Sequence, residues 1–432
     1  MHATTQHQKK IIPRKEHAIS RDTIPAHVLI VLKKLNAAGF DAYLVGGCVR
    51  DLLLNHVPKD FDVATNAKPD EIRGVFRNCR LIGKRFRLAH IYFKNEIVEV
   101  ATFRAYHGGN DDEGMVLRDN VYGTMEEDAF RRDFTINALY YTLKDFSVID
   151  YTNGISDLKK GVLRMIGDPK TRYKEDPVRI LRAIRFISKI NFKMHEDTER
   201  PIATLTKLLE QVSSARLFHE ALKIFHGGYA LHCFNNLQRY HLIKLLLPDV
   251  DKLLRGNHPF LLALLEIGLA NTDARIANHQ TASPAFLFAM FLWYPTMNCY
   301  KTLIKDMPPQ EKIILPLFDN AMQHAIYAQN KRVAIPKQLA QSMQDIWRLQ
   351  PGMERMHRGR VEAIFQHPRF RAAYDLLLLR KAAGEDIAAA CTWWTDFIAA
   401  DLANRETMAN PSDKPKKKRR KKKKKSLPPP IA

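Results

Sequence analysis

Cysteine is scarce in this sequence: Cys48, Cys79, Cys233, Cys299 and Cys391 lie far apart and form no C-x-x-C pair. Their scatter argues against a disulfide framework or a zinc site and suits a reducing cytosol, so a cytoplasmic protein is expected. Long apolar runs are missing too. The longest, residues 260–270 and 284–294, are too short to span a bilayer, and Glu266 interrupts the first. They read as buried helices, and no membrane contact is expected. Residues 1–21 hold no continuous apolar core, so no secretory signal is read there. Acid is in deficit: against 68 Lys and Arg stand 46 Asp and Glu, a formal net charge of +22. Eleven basic residues crowd into positions 414–425, but without that stretch and Asp413 the chain still carries 57 basic against 45 acidic residues. A basic body favours a polyanionic partner such as nucleic acid over basicity that serves solubility alone.

What is present falls into five segments. Residues 1–22 are polar and predict a disordered arm. Residues 23–151 alternate between helical and strand patterns. Val28, Leu29, Val31, Leu32 and Leu35 mark a helix over 24–38 that stops at Gly39. Strands are expected at 42–45, 61–64, 81–82, 90–93 and 97–102, with a helix over 69–76 opened by Pro69. Residues 106–120 are polar and read as a mobile loop. From about 171 the periodicity is helical. A neck over 152–235 and a body over 236–405 follow, the latter divided into helices by Pro248, Pro295, Pro308, Pro309 and Pro336. Of Trp293, Trp347, Trp393 and Trp394 most are expected in the core. Residues 406–432 have little to bury and predict a disordered tail. The fold class is α+β: a mixed sheet with helices, then an all-helical region.

The chemistry centres on Asp60-Phe61-Asp62, nine residues after Leu44-Val-Gly-Gly-Cys-Val-Arg-Asp51. On a strand, residues i and i+2 share a face, so Asp60 and Asp62 present two carboxylates side by side while Phe61 turns inward. Like charges this close call for a cation, and hard oxygen ligands suit Mg²⁺. Gly46 and Gly47 let the backbone approach a phosphate, and Arg50 can add a charge-assisted contact to a triphosphate. A third carboxylate, to bridge metal ions or help take up a proton, has two candidates. Asp133 lies in Arg131-Arg132-Asp133 ahead of an apolar run read as helical, and Glu99 lies in a strand. Spacing leaves both open.

These motifs, LVGGCVRD (44–51), DFDVAT (60–65), EVATFR (99–104), RRDFTINAL (131–139) and EDPVRILRAIRF (175–186), resemble in order those of the class II tRNA nucleotidyltransferase and bacterial poly(A) polymerase superfamily. The resemblance covers roughly residues 24–400. It implies a polymerase-beta-like nucleotidyltransferase head followed by helical neck and body. It also implies triphosphate contacts from Gly47 and Arg50, Mg²⁺ binding by Asp60 and Asp62, and a catalytic place for Asp133 in preference to Glu99. The last motif has its own rationale. With no template strand, the incoming base must be read by side chains: Asp176 can accept from an exocyclic amine and Arg179 can donate to ring nitrogens. Arg182 and Arg185 follow at three-residue steps as a basic ridge, and with Arg132 they can offset triphosphate charge.

Within the superfamily, residues 81–91, with Lys84, Arg85 and Arg87, look like the poly(A) polymerase branch, as do 120–132 and 367–380. The polybasic tail, including Lys416, Lys417, Lys418, Arg419 and Arg420, suits sequence-independent attraction to RNA phosphates. The expected reaction is template-free addition of AMP from ATP to RNA 3′ ends with release of pyrophosphate, supported by two Mg²⁺ ions or by Mn²⁺. The alternatives are a CCA-adding enzyme and a non-catalytic RNA-binding protein. RNA-decay or RNA-chaperone proteins are conceivable partners, and a monomer is favoured.

Overall fold

The computed structural model describes residues 9–83, 87–94, 96–105, 121–308, 313–356 and 360–409. The chain divides into two compact units, Met1–Leu246 and Leu247–Ala432. The first carries an eight-stranded sheet in the order β1-β8-β7-β2-β3-β6-β5-β4. Its strands are β1 (Lys10–Ile12), β2 (Ala42–Val45), β3 (Asp62–Thr65), β4 (Cys79–Ile82), β5 (Leu88–Phe93), β6 (Glu96–Thr102), β7 (Leu139–Thr142) and β8 (Val148–Asp150). Only β3 and β6 pair in parallel within this sheet; the other neighbours are antiparallel.

Strand alternation sorts the sheet into two faces. Ala42, Leu44, Val63, Ala89, Ile91, Val98, Val100, Leu139 and Tyr141 join one buried cluster. That cluster includes residues of α1 (Ala26–Ala37), α2 (Gly47–Leu53) and α3 (Pro69–Val75). On the opposite face Tyr43, Val45, Ala64 and Tyr140 pack with Phe103, Ala129 and Ile166. Ala129 belongs to α4 (Met125–Arg131), whose start is fixed by a capping box between Thr124 and Glu127.

Four expectations are corrected here. Residues 10–12 are not a free arm: β1 pairs with β8, Ile19 is buried, and the His17 ring donates to the Phe146 carbonyl at 2.8 Å. Residues 1–8 of the expected arm lie outside the described residues, as does the loop expected over 106–120. The apolar run after Asp133 is not a helix. It makes one tight turn at Thr135–Asn137 and becomes β7, because Leu139, Tyr140 and Tyr141 pack on alternate faces of the sheet. Pro295 does not divide two helices. It sits inside the continuous helix Pro284–Leu303, whose burial on nearly all sides outweighs one lost backbone bond. Finally, residues 406–409 continue the helix Leu402–Ala409; the remainder of the expected tail is outside the described residues.

Beyond the sheet, the first unit continues through α5 (Gly154–Lys160), α6 (Pro169–Glu175) and α7 (Val178–Ile190) to the helices Ser214–Phe225 and Ala230–Arg239. A second, two-stranded parallel pair joins Val162–Leu163 to Lys193–Met194. Among its described residues the second unit is helical. Trp293, Trp347 and Trp394 are fully buried there, the latter two donating to the Ala289 and Met353 carbonyls. Trp393 is half-buried and stacked on Phe397. Arg380 is the polar centre of this core, bonded to Gln350, Glu354 and Glu385 and lying 4.4 Å from the Trp293 ring centroid.

Candidate active site

Gly46 links β2 to α2 with φ +81°, a left-handed conformation that disfavours any side chain. A Cβ built there would lie 3.5 Å from a terminal nitrogen of Arg132. Gly47 begins α2, whose first-turn N–H groups have no helical carbonyl to meet. Opposite them, Val45 pairs with Asp62 across the β2–β3 ladder. Asp62 opens β3, and Asp60 stands just before the strand. Among the described residues neither carboxylate has a basic ion-pair partner.

The parallel register of β3 and β6 sets Glu99 directly beside Asp62. Burial within the site, then repulsion from Glu99 and Asp60, push the Asp62 carboxyl up to about 6, although Arg132 draws it down. Of the two candidates for a third acid, the sheet therefore brings Glu99 and not Asp133 to the aspartate pair. Asp133 is committed elsewhere. It accepts from both Arg182 nitrogens that face it, from the Phe134 N–H at 2.9 Å and from Asn137 at 3.3 Å. Burial disfavours its charge, but Arg182 outweighs that and holds Asp133 below the usual carboxylate range. The structure thus sets Glu99 next to Asp62 and engages Asp133, which the family resemblance favours, with Arg182.

Arg50 has partners within the chain. It is 2% exposed, and its guanidinium is spent on Asp51 (2.8 and 2.6 Å) and Asn137 (2.7 Å). Lys189 of α7 completes the group by donating to Asp51 at 3.0 Å. Arg50 thus ties the glycine turn to the residues after Asp133, with three of its five N–H groups so engaged. Arg132 is the better placed cation. Its Nε and one terminal nitrogen hold Asp128 at 3.1 and 2.8 Å, leaving the other facing Gly46. Burial works against the Asp128 charge, but Arg132 and Arg131 overcome it and bring the group down to about 2. Tyr140 donates to the same carboxylate at 2.8 Å.

The expected base readers stand together at the start of α7, already engaged. One Asp176 oxygen accepts from Arg216 at 2.6 Å and the other from the Val178 N–H at 3.1 Å. Arg179 donates to Glu175 and to the Arg172 carbonyl. Arg182 holds Asp133, and Arg185 lies 3.9 Å from Glu220 with its guanidinium 4.6 Å from the Phe186 ring centroid. Arg87 is exposed, 3.5 Å from Asp70. Lys84, Arg85, Lys416, Lys417, Lys418, Arg419 and Arg420 lie outside the described residues.

Sequence reasoning missed Asp128, Arg172 and Arg216. Asp128 was legible: it precedes Arg131 and Arg132 at helical spacings of three and four. The bonds of Arg172 to the carbonyls of Arg131 and Arg132, and of Arg216 to Asp176, carry no local signal, because they span long chain separations.

Among the described residues no group of three or more His, Cys, Asp or Glu stands close enough to bind a metal ion by itself. The donor set nevertheless fits a hard cation: carboxylate oxygens with no arginine or lysine ion-paired to them among the described residues, and a carboxyl whose charge Glu99 and Asp60 oppose.

Comparison with known proteins adds the family. Residues 42–164 match the model described as "Poly A polymerase head domain", and 311–426 match "Polymerase A arginine-rich C-terminus". Residues 191–254 match "Probable RNA and SrmB- binding site of polymerase A". Poly(A) polymerase I of Salmonella typhimurium is 45% identical over 415 residues, covering 93% of this chain and 89% of that protein. A CCA-adding enzyme of Lactobacillus helveticus is 38% identical, but over only 47% of this chain. The solved Thermotoga maritima CCA-adding enzyme complexed with tRNA_CCA shares the fold, with a TM-score of 0.58 at 22% identity over 90% of this chain and 86% of that one. No helix among the described residues is long and apolar enough to cross a membrane. The polymerase relative is thus matched over nearly the whole chain and the CCA-adding sequence over about half of it, and the chain belongs to the bacterial poly(A) polymerase family of template-independent nucleotidyltransferases.

Proposed function

We propose that the head adds AMP from ATP to RNA 3′ ends through the acidic mouth formed by Asp60, Asp62 and Glu99. The observation that supports this most is the in-register Asp62–Glu99 pair, left without an arginine while Asp128 and Asp133 of the same unit are held by arginines. Asp60 and Asp62 are the residues to hold Mg²⁺, or Mn²⁺ in its place. Two bound ions would supply charge neutralisation at the triphosphate and at the attacking and leaving oxygens.

This chain's own groups do the positioning. The Gly46-Gly47 turn admits the triphosphate close to the backbone, and Arg132 offsets its charge. The RNA 3′ oxygen forms a bond to the α-phosphorus, the bond to the bridging oxygen breaks, and pyrophosphate leaves. Glu99 is the acid placed to help take up the hydroxyl proton. Asp176 and Arg179 read the adenine edge, Asp176 accepting from the amine and Arg179 donating to a ring nitrogen. Arg182 and Arg185 position this cluster. Lys84, Arg85, Arg87 and the polybasic stretch 414–425 retain RNA through its phosphates. A cytoplasmic monomer that meets RNA-decay or RNA-chaperone proteins fits this reading.

The test supplies a generic RNA, or a tRNA lacking its end, with each nucleotide separately. Long ATP-dependent tails support the reading. Addition that stops after two C and one A would replace it with CCA synthesis.

A further inference from the structure

Among the described residues, the face of the sheet that carries Asp62 is covered on one side only. From β2 through β7 it is packed by Phe103, Ala129 and Ile166. From β6 to β4 no described residue joins a buried cluster on that face. The ladders put one row of side chains there: Asp62 pairs with Glu99, Glu99 with His90, and His90 with Arg80. At an interstrand spacing of about 4.8 Å the row runs about 14 Å from the catalytic mouth to the sheet edge.

The surface along the row is not an ordinary solvated face. Arg80 holds its guanidinium 5.4 Å from the Tyr92 ring centroid, and the His90 ring lies 6.5 Å from the same ring. His90 also stands 3.5 Å from Glu99. Ile97, opposite Tyr92 in the ladder, is 50% exposed, where a strand on a solvated face would carry a polar residue. An aromatic ring, a cation over it and an uncovered aliphatic side chain make a surface on which flat bases stack, with positive charge at hand for the phosphates.

We propose that this open half-face, centred on Tyr92, Arg80 and Ile97, is the platform for the last few nucleotides of the RNA primer. The inference rests on the reaction proposed above, and it supplies what that reaction needs: a place that lays the strand's 3′ hydroxyl at Asp62. Stacking has no base preference, so the platform accepts ends of any sequence and the adenylate ends made by previous additions. The continuity of the row with Asp62 and Glu99 favours RNA over a protein as the occupant.

The experiment measures AMP addition by the full chain to a short single-stranded oligonucleotide. Tyr92→Ala and Arg80→Ala should each raise the KM for this primer, Tyr92→Ala by about fivefold or more. The KM for ATP should stay unchanged, and Tyr92→Phe, which keeps a stacking ring, should behave as wild type. A primer with a photoreactive 3′-terminal base should crosslink within β4 to β6. Wild-type addition with an unchanged primer KM in Tyr92→Ala, or crosslinks confined to other segments, would overturn the platform alone. Absence of AMP addition by the wild-type protein would overturn the underlying reaction as well.

Discussion

Asp62 and Asp128 are acids of the same unit, both set in surroundings that disfavour charge, yet they titrate in opposite directions. Asp62 has Glu99 and Asp60 for neighbours and rises to about 6; Asp128 has Arg132 and Arg131 and falls to about 2. Asp133, held by Arg182, behaves like Asp128. The difference separates two uses of a carboxylate. Those with arginine partners lock α4, the turn after Asp133 and α7 to one another. Those without are left in mutual repulsion at the mouth, a cost that the cation proposed there would relieve.

Breaking the unpaired side should have the largest effect. Asp62→Ala is expected to cut AMP incorporation by about a hundredfold or more with the fold intact, read by primer extension beside circular dichroism. An unfolded variant or unchanged incorporation would erase the distinction. On the paired side, Asp128→Ala leaves the Arg132 charge buried without its acid and should cost about 3 kcal/mol in chemical denaturation. The same pairing predicts a pH dependence. The Asp128 pKa is depressed from an ordinary 3.8 to about 2, so it contributes stability above pH ~4 that is lost as pH falls through about 2. That contribution is about 2 kcal/mol, and the gap between wild type and Asp128→Asn should shrink over this window in acid denaturation. The smallest effect belongs to the half-exposed Arg216–Asp176 pair, where Arg216→Ala should change stability by about 1 kcal/mol or less.

The sequence made one side of this comparison easier to read than the other. Alternation and glycine placement gave β2, the Gly46 turn, β3, α3 and β6, because local patterning against one core sets those elements. The run 134–142 misled, since a short apolar stretch buried on both faces looks alike as helix or strand. The partners of Arg50 were hidden for a different reason. An arginine beside a glycine turn suggests a phosphate, and its bond to Asn137, 87 positions away in sequence, leaves no local mark. The choice between Glu99 and Asp133 was open for the same reason: it depends on which strand lies next to β3, and register between distant strands is a property of the tertiary fold. Asp60 and Asp62 stood out only in company: two acids bracketing an apolar residue are a weak signal alone, and the Gly46-Gly47 turn, Arg50 and the later motifs singled them out.

The most direct test of the division between working and structural acids compares Glu99→Gln with Asp133→Asn in kcat for AMP addition and in stability. Glu99→Gln should lower kcat by about a hundredfold and leave the unfolding midpoint nearly unchanged. Asp133→Asn should lower stability by about 2 kcal/mol, with the smaller loss of kcat. A Glu99→Gln enzyme that turns over normally while a fully stable Asp133→Asn enzyme is inactive would contradict the account.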